Sequence, residues 1–520
     1  MYPQRLTTQV IRSLDYPVVR TRYGKLRGSL VEGIFVFRGI RYAKARRFHM
    51  PEMVESWEGI RDAVTYGYAS CELNEDIPGD EDICPHHFLR ADEHCQYMNI
   101  WTPTIRQGAG LPVVVWMHGG GWVSGSATEQ FVYDGGNFAR FGQVVFVNFN
   151  NRQNVLGSLD LSSFGVEYRD SVYAGLGDVL AAMSWIRENI EVFGGDPGHV
   201  TVIGQAGGGK RALALMQTPA ADGLYQKMAV GSCAGERMDV PEGWTRRQIA
   251  QYMGELTAGE LGLTKENIFR IESVPWWELA EAVKRAEKKL KAEIPDRFRW
   301  EPVPDGRFFF EDPFKTNFRE ETRGIPMMMG SSFGEMMGNS RVRIGDRRKN
   351  QWTDKQTLLY VKERYGEGVE RLLDAFRYAY PNHRDADLLF VDQKIRPKLN
   401  MLAEKRAAAG EQVWSWLFHR EAPVDDGLVA WHCSETAYIL RNAAYVEAIY
   451  EPGITEELEE LMSSAWLAFI RNGDPGCVQL PAWESVSEDR LPVMMFGEKA
   501  ELRIDPEKKL YEQLSKKEVI

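Results

Sequence analysis

The stretch His199 to Met216, HVTVIGQAGGGKRALALM, sets a short β-branched run (Val200 to Ile203) ahead of a glycine-dense turn and a helix-forming run. A strand that passes through so sharp a turn into a helix aims the helix N-terminus, with its free N–H groups, at a bound group. Where such a turn reads G-x-S-x-G, the serine at its apex is a nucleophile held on a strained backbone. Here it reads Gly204-Gln205-Ala206-Gly207-Gly208, so the frame is kept and a methyl group takes the place of the hydroxyl. About 85 residues earlier, His118-Gly119-Gly120-Gly121-Trp122 follows an apolar run. Glycines there let backbone N–H groups reach a cavity that side chains would block, which is how an oxyanion hole for acyl transfer is built.

Acyl transfer by this plan needs an acid and then a histidine further along the chain. Beyond the turn the histidines are His383, His419 and His432. His432 lies in VAWHCSETAYIL, a loop ahead of a helix. His383 lies in the polar loop YPNHRDAD. His419 ends the strand-like WSWLFH and is the rival base, though a strand-end histidine with its needs met explains it. For the acid, Glu335 in MMMGSSFGEMMG follows a short buried strand and a glycine turn.

The elements that must hold these residues follow from periodicity. VVRTRYGKLRGSLVEGIFVFRGIRYA alternates apolar and polar residues between glycine turns, which predicts a small antiparallel sheet. LPVVVWMHGGGW and QVVFVNFNNR are continuous apolar strands. Tyr173 to Phe193 has helical spacing, with Leu176, Val179, Leu180, Met183, Ile186 and Ile190 on one face. Strands alternating with helices predict a mostly parallel, doubly wound sheet. From about 243 to 295 the pattern changes to charged amphipathic helices such as WWELAEAVKRAEKKLKAE. Their Glu and Lys alternate rather than forming a basic face, so the segment is expected to pack over one end of the sheet. No long linker or repeat divides the chain, and residues 1–520 are read as a single domain with that insertion.

The chain has 520 residues, 44% of them hydrophobic, enough for a large core. Its formal charge of -11 argues against nucleic acid or an anionic membrane as the main partner. No apolar run approaches the roughly 20 residues of a membrane span, and the opening residues show no apolar signal segment. A cytoplasmic protein is therefore expected, with its six cysteines as free thiols, whereas in an oxidising compartment Cys71 and Cys95 could pair. Cys84, His86, His87, His94 and Cys95 are zinc-type ligands, but their spacing fits no structural zinc pattern, so no metal is expected.

With these motifs in order, the chain resembles the type-B carboxylesterases, the family that includes the cholinesterases. GKLRGSLVEGIFVFRGIRYAKA is similar to the family's N-terminal segment, with Arg41 where proline is usual. DEHCQYMNIWTP resembles its E-D-C-L-x-L-N-V-W-x-P signature. HGGGW, GLGDVLAAMSWIRENIEVFGGDPGHVTVIGQAGGGK, EPVPDGRFFFEDP, WHCSE and FIRNGDP follow in the same order, from about Val18 to Phe496. The NNRQNVLG and GQ-x-GGG forms are similar to bacterial members. The resemblance implies an α/β-hydrolase fold: a large, mostly parallel central sheet flanked by helices, a small N-terminal antiparallel sheet, and a helical excursion over the active site. It implies a small-molecule ester as partner and no cofactor, and leaves the oligomeric state open. Residue by residue, it places oxyanion donors at Gly120, Gly121 and Gly207, the acid at Glu335 and the base at His432. Trp122, Phe333, Met336 and Met337 are expected to line the pocket, although ordinary core packing accounts for each equally well.

The nucleophile position falls on Ala206, where the family requires serine. Alanine has neither the attacking oxygen nor the proton to transfer. Removing a triad serine costs on the order of a million-fold in kcat, about 8 kcal/mol of barrier. The chain as written is therefore expected to be near-silent. Either a serine was replaced in an active esterase, or the chain is a natural pseudoesterase that binds a ligand or protein. Retention of Glu335, His432 and the glycine loop favours the first. Ser232 and Cys233, after the next strand, read as small buried residues, and Arg237 reads as a surface arginine. Cys433 adjoins His432, and a thiol beside a histidine can ionise. Adjacent side chains usually point apart, however, which argues against Cys433 as a substitute nucleophile.

Overall fold

The computed structural model describes residues 9–74, 83–233, 240–295, 298–335 and 348–517. The apolar runs become the centre of a twelve-stranded sheet. Seven neighbouring strands are parallel: Val145–Phe149, Leu111–Met117, Gly195–Gln205, Lys227–Gly231, Met327–Ser332, Val413–Phe418 and Pro492–Phe496. Leu111–Met117 sits between Val145–Phe149 and Gly195–Gln205, so the strand order reverses beside the two glycine turns. Ligands of open α/β sheets lie outside the C-terminal ends of the strands at such a reversal. These strands are continuous apolar runs because helices cover both faces.

The N-terminal segment divides between two sheets rather than forming a single small one. Val18–Arg20 and Lys25–Arg27 form an antiparallel pair extended by Ile60–Asp62. Ser29–Val31 and Ile34–Arg41 instead extend the central sheet through Tyr97–Thr102. Ile34, Val36, Phe37 and Ile40 are all buried. A strand with that much apolar surface has more to cover than a peripheral hairpin can supply, and pairing beside the core covers it.

The helix Ala174–Asn189 is buried almost all round, beyond the single face its spacing predicts. Glycine makes this close packing feasible: a Cβ on Gly175 would lie 2.5 Å from the Arg152 carbonyl oxygen. The same contact zone holds a buried ion pair. Arg152 Nη2 meets Asp178 Oδ1 at 2.7 Å and its Nε donates to Oδ2 at 2.8 Å. The guanidinium also donates to the carbonyls of Arg46, His49 and Ala174. Removing one partner of such a pair strands a buried charge, so Asp178→Leu is expected to destabilise by about 3–5 kcal/mol. A urea unfolding midpoint within error of the parent protein would overturn this.

Helices Arg246–Glu260 and Trp276–Glu293 fall within the segment read as an insertion. They bury Ile249, Met253, Leu279 and Val283 in a second apolar cluster with Val155, Leu156, Leu159 and Leu161. The charged faces stay in solvent, where Arg285 and Lys289 both pair with Glu260. Among the described residues, no helix is long and apolar enough to cross a membrane. The six cysteines carry separate thiols.

Candidate active site

The strand Gly195–Gln205 and the helix Gly207–Met216 are joined by one residue, Ala206, at φ 52° and ψ -118°. A residue with a side chain rarely takes a positive φ, so the surrounding structure must hold it there. The flanking glycines permit the turn. A Cβ on Gly204 would lie 2.4 Å from the Gly208 carbonyl, and one on Gly208 would lie 1.8 Å from the Met117 oxygen. Ala206 N–H donates to the Gly231 carbonyl at 2.8 Å, and Lys210 N–H to the Ala206 carbonyl at 3.1 Å. The methyl group therefore sits at a fixed, half-buried apex.

The second glycine turn faces the first. Gly120 and Gly121 have φ of 83° and 69°. A Cβ on Gly120 would lie 2.0 Å from the Ser124 oxygen, and one on Gly207 would lie 2.2 Å from the Gly121 nitrogen. The backbones of residues 120, 121 and 207 thus converge beside Ala206. Among the described residues, none of their N–H groups donates to a backbone or side-chain acceptor.

Polar side chains tether the loop from behind. Asn154 Nδ2 donates to the Val123 carbonyl at 2.9 Å, and Gln153 Nε2 to the Gly125 carbonyl at 2.8 Å. Arg211, on the helix after the elbow, donates to the His118 carbonyl at 2.7 Å and to Gln153 Oε1 at 2.8 Å. Its guanidinium lies 5.2 Å from the centre of the Trp122 ring. Burial lowers the Arg211 pKa to about 9, which leaves it charged at neutral pH. The sequence reading missed these three residues as site components. Gln153 and Asn154 carried a signal in the run NNRQN, five polar side chains directly after an apolar strand, and Arg211 carried none.

Glu335 lies three residues beyond the end of strand Met327–Ser332 and is 3% exposed. Ser332 N–H donates to its Oε1 at 2.8 Å, and its Oε2 takes a short hydrogen bond from His432 Nδ1. A bridge from Gly334 to Trp431 brings the two loops side by side. With Nδ1–H fixed on the carboxylate, Nε2 is the nitrogen left to exchange a proton. Burial alone would lower the His432 pKa, but Cys433 and Glu335 outweigh it and hold the pKa well above its ordinary 6.5. Glu335 is the anion responsible at neutral pH, because burial pushes the Cys433 thiol up. A second buried carboxyl, Glu435, accepts from Ser332 Oγ at 2.8 Å. Burial, then the nearby Glu335, raises its pKa to about 7.

These shifts fix the sign of a pH dependence. A general base must be neutral to take a proton, and a raised pKa keeps the imidazole charged to higher pH. In an Ala206→Ser variant, kcat/KM is expected to fall as pH drops through a midpoint above 6.5, the ordinary histidine value. A limb at or below that value would contradict the pairing.

His419 and His383 lie elsewhere, as a pair. His383 Nδ1 meets Asp387 Oδ2 at 3.0 Å and its Nε2 meets His419 Nδ1 at 3.1 Å. Phe333, expected to line the pocket, is instead buried in this ring cluster, stacked on His383 with 4.6 Å between centres. The chain has just left the strand at Ser332, and the ring turns inward to Tyr380 while Glu335 turns to His432. Trp122 borders a cavity of about 50 Å³ with Leu213, Phe309 and Phe314. Met336, Met337 and Arg237 lie outside the described residues. Ser232 and Cys233 are buried behind the elbow. Of the zinc-type cluster, Cys95 is buried while His94 and His87 are exposed, and among the described residues no three His, Cys, Asp or Glu side chains are placed to share a metal ion.

The sheet order, the strained turn and the acid-paired histidine define an α/β-hydrolase. The carboxylesterase family model matches residues 15–516, and the chain belongs to that family. It is 30% identical to para-nitrobenzyl esterase of Bacillus subtilis (strain 168), over 96% of this chain and 99% of that one. A solved esterase from the anaerobe Clostridium hathewayi, described as able to hydrolyse aliphatic aromatic polyesters, superposes with a TM-score of 0.92 and 36% identity. That match covers 98% of this chain and all of the other. A carboxylesterase of Geobacillus stearothermophilus matches at a TM-score of 0.73 and 29% identity, over 95% and 99% of the two chains.

Proposed function

We propose that this chain is a carboxylic ester hydrolase scaffold whose nucleophile position is occupied by Ala206, so that serine-type turnover is near-silent. The observation that carries the reading is the Glu335–His432 hydrogen bond, together with an elbow at φ 52° and a glycine loop whose N–H groups have no acceptor among the described residues. In this reading the ester carbonyl oxygen takes hydrogen bonds from Gly120, Gly121 and Gly207, so charge that develops there meets fixed dipoles. Glu335 holds the imidazole in the Nδ1–H tautomer, and Nε2 of His432 is the base for a nucleophile at position 206. Trp122 forms one wall for an apolar acyl or alcohol group, and a small ester with an aromatic part fits that wall. The polyester and para-nitrobenzyl activities named for the relatives are consistent with such a substrate.

An alanine within an otherwise complete set is what a serine replacement in an active esterase leaves behind, and we extend the reading to that origin. Ala206 itself also supports a second reading, a pseudoesterase that binds a ligand without cleaving it. The Ala206→Ser variant separates the two when assayed on p-nitrophenyl esters. A folded serine variant silent on every ester tried overturns the hydrolase reading and leaves the binder.

A further inference from the structure

Ala206 removes the oxygen from this site, yet a nucleophilic atom remains within it. Cys433 has φ 77°, the left-handed region that residues with side chains seldom occupy. This conformation turns the thiol back towards the elbow instead of away from His432. Sγ donates to Gln205 Oε1 at 3.0 Å, and Gln205 immediately precedes Ala206. From Gly119, the first glycine of the loop, a Cβ would stand 3.5 Å from the same Oε1 and 3.6 Å from the Ala206 methyl. The thiol, the empty nucleophile position and the glycine loop therefore meet around one amide.

That amide is incompletely satisfied. Gln205 is 3% exposed, and its Nε2 is buried without a partner among the described residues. A buried donor with no acceptor is costly in a finished core, and a ligand carbonyl or carboxylate entering the site would supply one. The base is the preceding residue in the chain. Nδ1 of His432 is engaged by Glu335, so Nε2 is the nitrogen available to a proton leaving Sγ. The sequence argument that neighbouring side chains point apart holds for extended backbone and fails at φ 77°.

We propose that Cys433 is an acyl acceptor, taking the acyl group of a small carboxylic ester as a thioester in place of the missing serine. The inference rests on the ester-hydrolase reading of the site. The sulfur lone pair forms the S–C bond while the carbonyl π electrons move to oxygen, facing the N–H groups of the glycine loop. Collapse of that intermediate breaks the C–O bond, and the alcohol leaves with the proton that Sγ passed through His432. Water, attacking the thioester with His432 as base, then releases the acid and restores the thiol. Turnover is limited by that last step, so the chain is silent as an esterase without being inert to esters.

The full-length protein is incubated with p-nitrophenyl acetate at mildly alkaline pH and followed by intact-mass and peptide mass spectrometry. One acetyl group per chain is expected, located on Cys433 and released by neutral hydroxylamine, which cleaves thioesters and spares lysine amides. Cys433→Gly, whose glycine suits φ 77°, is expected to abolish the adduct, and His432→Gln to slow its formation by about 100-fold or more. No label at position 433, or a label that persists in Cys433→Gly, overturns the proposal. The double variant Ala206→Ser/Cys433→Gly keeps the two readings apart. If it hydrolyses esters while the parent protein takes no acetyl group, the hydrolase reading stands and the thiol proposal falls. If it and Ala206→Ser are both silent, the hydrolase reading itself has failed.

Discussion

Ala206→Ser is expected to raise hydrolysis of p-nitrophenyl esters by about 10⁵–10⁶-fold over the parent protein, the reverse of removing a triad serine. The increase corresponds to about 7–8 kcal/mol of barrier. The apex backbone needs no change. The apex backbone already has the strained φ of 52° and is held by the Gly231 and Lys210 hydrogen bonds. Neighbouring glycines already allow the approach of Met117 and Gly121. The imidazole already carries its carboxylate on Nδ1. One added oxygen at a half-buried site strains little, so melting temperatures of the two proteins should agree. A rise of less than about tenfold in a well-folded variant would mean that the base and the apex are not aligned.

In that serine background, Glu335→Gln is expected to lower kcat by about 10⁴, with a much smaller effect on KM. The amide can still accept from Ser332 N–H through its oxygen, so the loop is retained. Its NH₂ end then faces His432 Nδ1, which favours the tautomer with the proton on Nε2, and that nitrogen can no longer take one. The same change removes the anion that holds up the imidazole pKa, so the acidic limb of the pH profile should move down. An equal loss in kcat and in substrate affinity would point to collapse of the pocket instead.

How much of this was legible in the sequence depends on what kind of constraint each residue obeys. Gly120, Gly121, Gly204, Gly207 and Gly208 could be read because close backbone approach admits no other residue type, so the constraint is written as composition. The central strands could be read because burial on both faces demands unbroken apolar runs. The N-terminal strand Ile34–Arg41 was assigned to the wrong sheet, because alternation reports a buried face but not which sheet covers it. Gln153, Asn154 and Arg211 were missed because their partners are carbonyls of residues 118–125: a polar run such as NNRQN shows that partners are needed, but nothing in the chain says which. Phe333 was misjudged because its direction depends on how the chain leaves the strand at Ser332. Cys433 turned on a single dihedral angle, and L-residue statistics argue against that angle at any cysteine.

The buried guanidinium of Arg211 has a consequence for engineering. One side chain joins the helix of the elbow, the carbonyl at the root of the glycine loop and the Gln153 amide that supports the same loop. The elbow and the glycine loop are therefore indexed to each other, like two jaws on one spindle. A mutation that shifts either jaw carries the other with it, so their spacing survives disturbances that would misalign independent parts. The corollary is that reshaping substrate preference from within the glycine loop would be paid for in alignment. Phe309 and Phe314, which border a small cavity beside Trp122 and belong to neither jaw, are the positions that can be recarved while that spacing stays constant.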